Sequence, residues 1–139
     1  MNVLVDTSVW SLALRRKHHS LSRKEERVAA ELSELIREGR AQMVGLVRQE
    51  LLSGLKTAEQ FDELRQKLQS FPDERMESVD HEEAARSGNQ CRARGVAASI
   101  VDALLCAVAM RRGWALFTTD PDFSHYATVL PLTLHAPRS

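Results

Sequence analysis

Short apolar runs alternate along this chain with longer stretches in which apolar residues recur every three or four positions. Val3-Leu4-Val5 stops at Asp6, as expected for a strand buried on both faces of a parallel sheet. A helix is expected over about residues 8–16, and Arg15-Arg16-Lys17-His18-His19-Ser20 then reads as a polar, basic loop. Ser22 and Glu25 have the spacing of a capping box, and Val28, Leu32, Leu35 and Ile36 follow on one helical face, with Gly39 as a stop. Met43-Val44-Gly45-Leu46-Val47 predicts a second buried strand, which puts Glu50 in the first turn of the next helix. Thr57 and Gln60 repeat the capping-box spacing ahead of Phe61, Leu64 and Leu68, until Phe71-Pro72-Asp73 breaks the pattern. This central pair of helices reads as an insertion beside the sheet.

Residues 76–79 form a short, half-polar strand candidate, and Asp80 with Glu83 marks a helix start running to Gly95. Ser99-Ile100-Val101-Asp102 opens an apolar helix through Ala103, Leu104, Ala107, Val108 and Met110, closed by Gly113. Ala115-Leu116-Phe117-Thr118-Thr119 predicts a strand ending at Asp120, beyond which Pro121 blocks regular continuation. Val129-Leu130-Pro131-Leu132 is expected as a last edge strand, where proline is tolerated. Strands alternating with helices imply βαβ crossovers, hence an α/β fold with a central, mainly parallel sheet covered on both faces. With 139 residues and no repeat or linker, one domain over residues 1–139 is expected.

Charge narrows the partners little: 19 Lys and Arg balance 19 Asp and Glu, so any nucleic acid must be held by local patches. Cys91 and Cys106 have neither zinc-site spacing nor the density of a disulfide scaffold, and read as reduced, buried thiols. The start of the chain lacks a secretory pattern and no apolar stretch reaches membrane-spanning length, which leads us to expect a cytoplasmic protein.

Candidate chemistry lies in Asp6, Glu50, Asp102 and Asp120, each where a strand ends or a helix begins. In open α/β sheets the functional crevice lies beyond the carboxyl ends of the strands, so such acids can converge. Each also has a local explanation. Asp6 can cap a helix, and Glu50 can favour a helix dipole by about 0.3 to 1 kcal/mol. Asp102 can complete a capping box with Ser99, while Asp120-Pro121-Asp122 suits a turn. Convergence changes the weighing, because carboxylates about 5 Å apart repel by roughly 3 kcal/mol per pair at an effective dielectric of 20. A cluster then needs a cation or bound protons, and all-carboxylate ligation suits Mg2+ or Mn2+ better than zinc. None of the histidines has ligand spacing: His18, His19 and His135 read as surface residues, His81 as part of a helix start and His125 as part of a loop.

Four segments carry a family resemblance. Val3-Leu4-Val5-Asp6-Thr7-Ser8, Val47-Arg48-Gln49-Glu50-Leu51-Leu52-Ser53-Gly54, Ser99-Ile100-Val101-Asp102-Ala103-Leu104-Leu105 and Phe117-Thr118-Thr119-Asp120-Pro121-Asp122-Phe123 resemble, in order and spacing, the acidic motifs of PIN-domain ribonucleases. The single-domain VapC-type toxins of toxin–antitoxin pairs are the nearest match. The resemblance spans almost the whole chain and implies a three-layer α/β/α PIN-like fold. It further implies that Asp6, Glu50, Asp102 and Asp120 are catalytic, metal-binding acids, with Asp122 as an auxiliary ligand and Thr7 or Ser8 supplying a hydroxyl. The implied activity is Mg2+- or Mn2+-dependent hydrolysis of RNA phosphodiesters, with a cognate antitoxin protein as partner and a homodimer as the assembly.

RNA approaching an acidic pocket requires basic residues at its rim, for which Arg15-Arg16-Lys17, Arg92 with Arg94, and Arg111-Arg112 are candidates beside their simpler reading as solvated surface. Trp10 and Trp114 sit in apolar surroundings and are expected in the core rather than stacked on bases. A phosphoacceptor signalling domain is a competing class, but it calls for an acidic pair after the first strand and a lysine after a late one. Here Thr7-Ser8 follows Asp6, and no lysine stands near Asp120. A catalytically inactive PIN-like binding module is a third reading, disfavoured by the presence of all four acids.

Overall fold

The computed structural model describes residues 1–14 and 20–138. Strand β1 (Val3–Val5) lies between β2 (Ala41–Gln42) and β3 (Ala115–Phe117) and runs parallel to both. All three residues of β1 and of β3 are buried, as strands covered on both faces must be. Seven helices surround this sheet among the described residues: α1 (Thr7–Leu14), α2 (Arg23–Arg37), α3 (Gly45–Leu52), α4 (Ala58–Leu68), α5 (Ser78–Ala93), α6 (Ile100–Arg112) and α7 (Asp122–Tyr126). The fold is the expected three-layer α/β/α arrangement. Helix α1 packs on α2 and α3, whereas α5 packs on α6, which itself lies against β1 and β3. No described helix is long and apolar enough to cross a membrane.

Local chemistry explains most boundaries. The Glu25 N–H donates to Ser22 Oγ at 3.1 Å and the Ser22 N–H to Glu25 Oε1 at 3.0 Å, a complete capping box at the start of α2. Val28, Leu32 and Leu35 are buried along one face of that helix. Helix α6 ends at Gly113, whose φ of +67° is the left-handed conformation that glycine adopts without a Cβ clash. Trp10 is fully buried with its ring edge-on to Phe71 at 4.9 Å, in the core as expected. Trp114 is half-buried beneath the Arg112 guanidinium. Cys91 and Cys106 are free, buried thiols.

Three strand expectations fail. The second strand lies two residues earlier than expected, at Ala41–Gln42, and most of the apolar run at 43–47 belongs to α3 instead. Val44, Val47 and Leu51 are buried at helical spacing, and a five-residue apolar run cannot by itself distinguish that stripe from a strand. No strand forms over 76–79, because Glu77 begins the next helix and its N–H donates to Asp80 Oδ2 at 2.8 Å. No strand forms over 129–132 either. Pro131 has no N–H to give a ladder, and the Leu132 N–H turns back to the Leu130 carbonyl at 2.8 Å. The chain meets the sheet a few residues later, where the Leu116 N–H donates to the Thr133 carbonyl and the His135 N–H to the Leu116 carbonyl, both at 2.8 Å. Of the loop expected over residues 15–20, residues 15–19 lie outside the described residues.

Two buried acids interrupt the apolar layers. Asp80 is fully buried, with Arg111 Nη1 at 2.5 Å and Arg112 Nη1 at 2.8 Å from its Oδ1, and Arg112 Nη2 donates to its Oδ2 at 3.0 Å. The Arg112 guanidinium holds the Asp80 carboxyl far below the usual carboxylate range, against the opposing effect of burial. Glu31, on the apolar face of α2, accepts from Arg138 Nε at 2.7 Å and lies 2.6 Å from His135 Nε2. His135 is therefore a half-buried partner of Glu31, not the surface residue expected.

Candidate metal centre

Parallel register brings the ends of β1 and β3 together. Val5 pairs with Phe117, so Asp6 and Thr118 leave the sheet side by side, and the Asp6 N–H donates to the Phe117 carbonyl at 2.9 Å. The chain passes from β1 to one neighbouring strand and later returns on the other side, which makes this gap the topological switch point of the sheet. Two hydroxyls lock the first acid there. Thr118 and Ser8 each donate to Asp6 Oδ2 at 2.8 Å. Both also accept a loop N–H at 3.0 Å, Thr118 from Asp120 and Ser8 from Thr119. Asp6, only 7% exposed, is left with Oδ1 unengaged among the described residues.

Asp102 enters from the first turn of α6. Its N–H donates to Ser99 Oγ at 3.0 Å, which is half of the expected capping box. Its carboxylate is occupied elsewhere: Oδ2 accepts the Tyr126 hydroxyl at 2.7 Å. Asp120 Oδ1 accepts the Asp122 N–H at 2.9 Å, so Asp120 shapes the turn in the way Asp-Pro-Asp suggests. That turn leads into α7 and carries both acids toward α6. One ligand atom from each of Asp102, Asp120 and Asp122 lies within 4.8 Å of the other two.

Asp6 and Glu50 fall outside this three-residue group. Asp6 joins it through Thr118, which also holds the Asp120 backbone. Glu50 occupies the last turn of α3 and not the first, because the helix starts at Gly45. A carboxylate there opposes the helix dipole, which removes the local explanation considered for it. Glu50 is exposed, and its Oε1 accepts the Thr7 hydroxyl at 2.6 Å, tying it to the residue next to Asp6.

The electrostatics follow from this crowding. Burial pushes the Asp102 carboxyl above its ordinary value, the charges of Asp6 and Asp120 add to the rise, and the Tyr126 hydrogen bond opposes it. Burial likewise raises the Tyr126 phenol, helped by its bond to Asp102. Cys106, one turn further along α6, is pushed up to about 12 by burial and by the Asp102 charge. Among the described residues no cationic side chain forms an ion pair with Asp6, Glu50, Asp102, Asp120 or Asp122. An uncompensated set of oxygen donors of this kind fits a hard divalent cation, which supplies the missing charge.

Sequence reasoning assigned no role to Thr118 or Tyr126. Thr118 had a signal, being the first polar residue after a buried apolar run; Tyr126 had none, since its partner lies 24 positions away. Thr118→Val is expected to cost about 1–2 kcal/mol in urea unfolding, since it strips Asp6 of one donor and leaves the Asp120 N–H without its acceptor. The basic rim also needs correcting. Arg111 and Arg112 are bound to Asp80, and Arg112 also to Glu74 at 2.5 Å, so neither serves as a free phosphate contact. Arg15-Arg16-Lys17 lies outside the described residues. Arg92 and Arg94 are exposed at the end of α5; Arg92 lines a cavity of about 580 Å³ with His81, Asn89 and Ser99, whereas Gly95, next to Arg94, lines a separate one of about 260 Å³ with Asp122, His125 and Tyr126. His125 belongs to α7, not to a loop.

A PIN domain family model matches residues 3–129. Among solved structures, FitAcB from Neisseria gonorrhoeae is similar with a TM-score of 0.76 and 22% identity, covering 97% of this chain and 97% of that one. VapBC2 from Rickettsia felis, in a structure bound to a DNA fragment from their promoter, gives a TM-score of 0.73 at 16% identity, with coverage of 97% and 98%. A toxin–antitoxin complex from Klebsiella pneumoniae gives 0.66 at 14%, with 99% of each chain covered. No curated protein matches the chain at a significant level. At these identities the structural likeness establishes the fold.

Proposed function

Because the chain belongs to the PIN domain family, we propose that it is a divalent-metal-dependent endoribonuclease acting as the toxin of a toxin–antitoxin pair. The observation that carries this reading is the meeting of the Asp102, Asp120 and Asp122 carboxylates beside Asp6, with no cationic side chain among the described residues to balance them. Asp6, Asp102, Asp120 and Asp122 would hold Mg2+ or Mn2+, with Glu50 at the edge of the site through Thr7. Such an ion, when bound, offsets charge on a phosphoryl group and acidifies an attacking water. The chain's own part is to fix the donors in advance: Ser8 and Thr118 lock Asp6, Tyr126 locks Asp102, and the turn bond locks Asp120. One of these carboxylates accepts the proton that the water gives up. Arg92 and Arg94 would bind neighbouring RNA phosphates, which makes cleavage weaken as salt rises.

The partner reading rests on the relatives. Structures of this fold include one described as a toxin–antitoxin complex, which supports a cognate antitoxin for this chain; the homodimer rests on the family resemblance of the sequence alone. The purified, partner-free protein is expected to cut RNA with Mg2+ or Mn2+ and to stop in EDTA, followed by gel analysis of the fragments. Undiminished cutting in chelator would overturn the proposal.

A further inference from the structure

We propose that Tyr126 is a positioning residue that makes Asp102 a one-oxygen ligand and so biases the acidic site toward Mg2+ and Mn2+ over Ca2+; this rests on the metal-centre reading above. Tyr126 is 2% exposed, and its hydroxyl donates to Asp102 Oδ2 at 2.7 Å. Oδ2 accepts this buried phenol proton, and one Asp102 oxygen lies within 4.8 Å of a carboxylate oxygen from each of Asp120 and Asp122; ligation through Oδ1 is part of the proposal. The ring itself has little freedom. Phe123 and Tyr126 are the two buried residues of α7, one turn apart, and their rings meet edge to face at 5.1 Å. The turn that bears Asp120 and Asp122 leads directly into the same short helix. The phenol therefore does two things at once: it fixes the Asp102 rotamer, and it sets the spacing between α6 and the turn carrying the other two acids.

Cation chemistry gives this geometry a consequence. Mg2+ demands a near-ideal octahedron and takes carboxylates through single oxygens, and Mn2+ suits the same kind of oxygen site. Ca2+ is larger, accepts six to eight oxygens and readily uses both oxygens of one carboxylate. A carboxylate oxygen that accepts a phenol proton keeps a second lone pair but is turned and weakened as a donor, so the two-oxygen mode is disfavoured. Loss of the hydroxyl frees Asp102 to rotate, which loosens the compact site and opens the two-oxygen mode. Partners that orient a metal ligand in this way typically change affinity by about 10- to 100-fold when removed.

The test is calorimetric titration of Mn2+ and, separately, Ca2+ into the full chain and into Tyr126→Phe, which keeps the ring and its contact with Phe123. Mn2+ affinity is expected to fall about tenfold in the variant while Ca2+ affinity holds or rises, so that the ratio of the two drops. Unchanged Mn2+ affinity, or parallel losses for both ions, would overturn the inference and leave the metal centre standing. A wild-type chain with no saturable Mn2+ binding would overturn the metal centre itself, and this inference with it. A second readout needs no variant. Tyr126 is the only tyrosine in the chain, so the tyrosine difference absorbance of the wild type reports on this one hydroxyl. It is expected to change with the same midpoint as Mn2+ binding, and a flat tyrosine signal at Mn2+ saturation would equally overturn the inference.

Discussion

Asp102→Asn is expected to reduce RNA cleavage by about a thousandfold while raising the thermal stability of the metal-free protein. The two effects share one cause. Asp102 sits beside Asp6 and Asp120 in a partly desolvated site, and its folded-state pKa lies above the ordinary carboxylate value. A raised carboxyl pKa means that folding favours the protonated form. The stability tied to that proton is complete below the unfolded value of about 4 and is lost as pH rises through the folded value. Above that folded value the ionised acid is thus a cost to the fold, offset only when a cation arrives. The amide of asparagine still accepts the Tyr126 hydroxyl but carries no charge, so it removes the repulsion and weakens the site for Mg2+ in the same step. Thermal unfolding in EDTA should show the wild type losing stability on the alkaline side of that window, and the variant losing less. Wild-type cleavage by the variant, or its failure to fold, would sink this account.

That trade between charge and stability was partly legible in the sequence. The periodicity of 28–35 and the caps at Ser22 and Ser99 marked α2 and α6, because capping and an amphipathic stripe are local properties. Asp6 was legible because it directly follows an apolar run and Asp120 because it closes the segment read as a strand over 115–119, and strand ends in a parallel sheet point the same way. What failed depended on partners distant in sequence. The run at 43–47 fits a strand or a buried helix, and only the position of Leu51 under the core decides between them. Glu50 was assigned to the wrong turn for that same reason. The Arg111-Arg112 pair looks like a solvent-facing basic patch until Asp80, some 31 and 32 positions earlier, takes up both side chains. Tyr126 is silent for an equivalent reason, since nothing near it in the chain announces that its hydroxyl ends on Asp102.

Asp80→Asn is expected to destabilise the protein by about 3–5 kcal/mol at neutral pH, a loss comparable with removing a large core side chain. Asp80 is fully buried and balances two guanidinium groups, of which Arg111 is exposed enough to swing into water whereas Arg112 is not. Asparagine leaves Arg112 with Glu74 and the Arg75 carbonyl but without its buried counter-charge. The pH dependence runs opposite to that of Asp102. Because the folded pKa of Asp80 is depressed, chiefly by the Arg112 hydrogen bonds, its contribution is present in full above the ordinary carboxylate range and drains away as pH falls below about 4. The metal-free wild type should therefore weaken in acid through Asp80 and, as pH rises from the ordinary carboxylate range through the folded value of Asp102, through that residue, with greatest stability between the two. Urea unfolding across pH checks both limbs, and Asp80→Asn should flatten the acid one. The pair's net worth is a separate quantity, read from Asp80→Leu combined with Arg112→Met: if burial of charge is as costly as expected, the double variant recovers much of what Asp80→Asn loses. A double variant no more stable than Asp80→Asn would mean that the ion pair, and not the mere avoidance of an orphaned charge, holds α5 against α6.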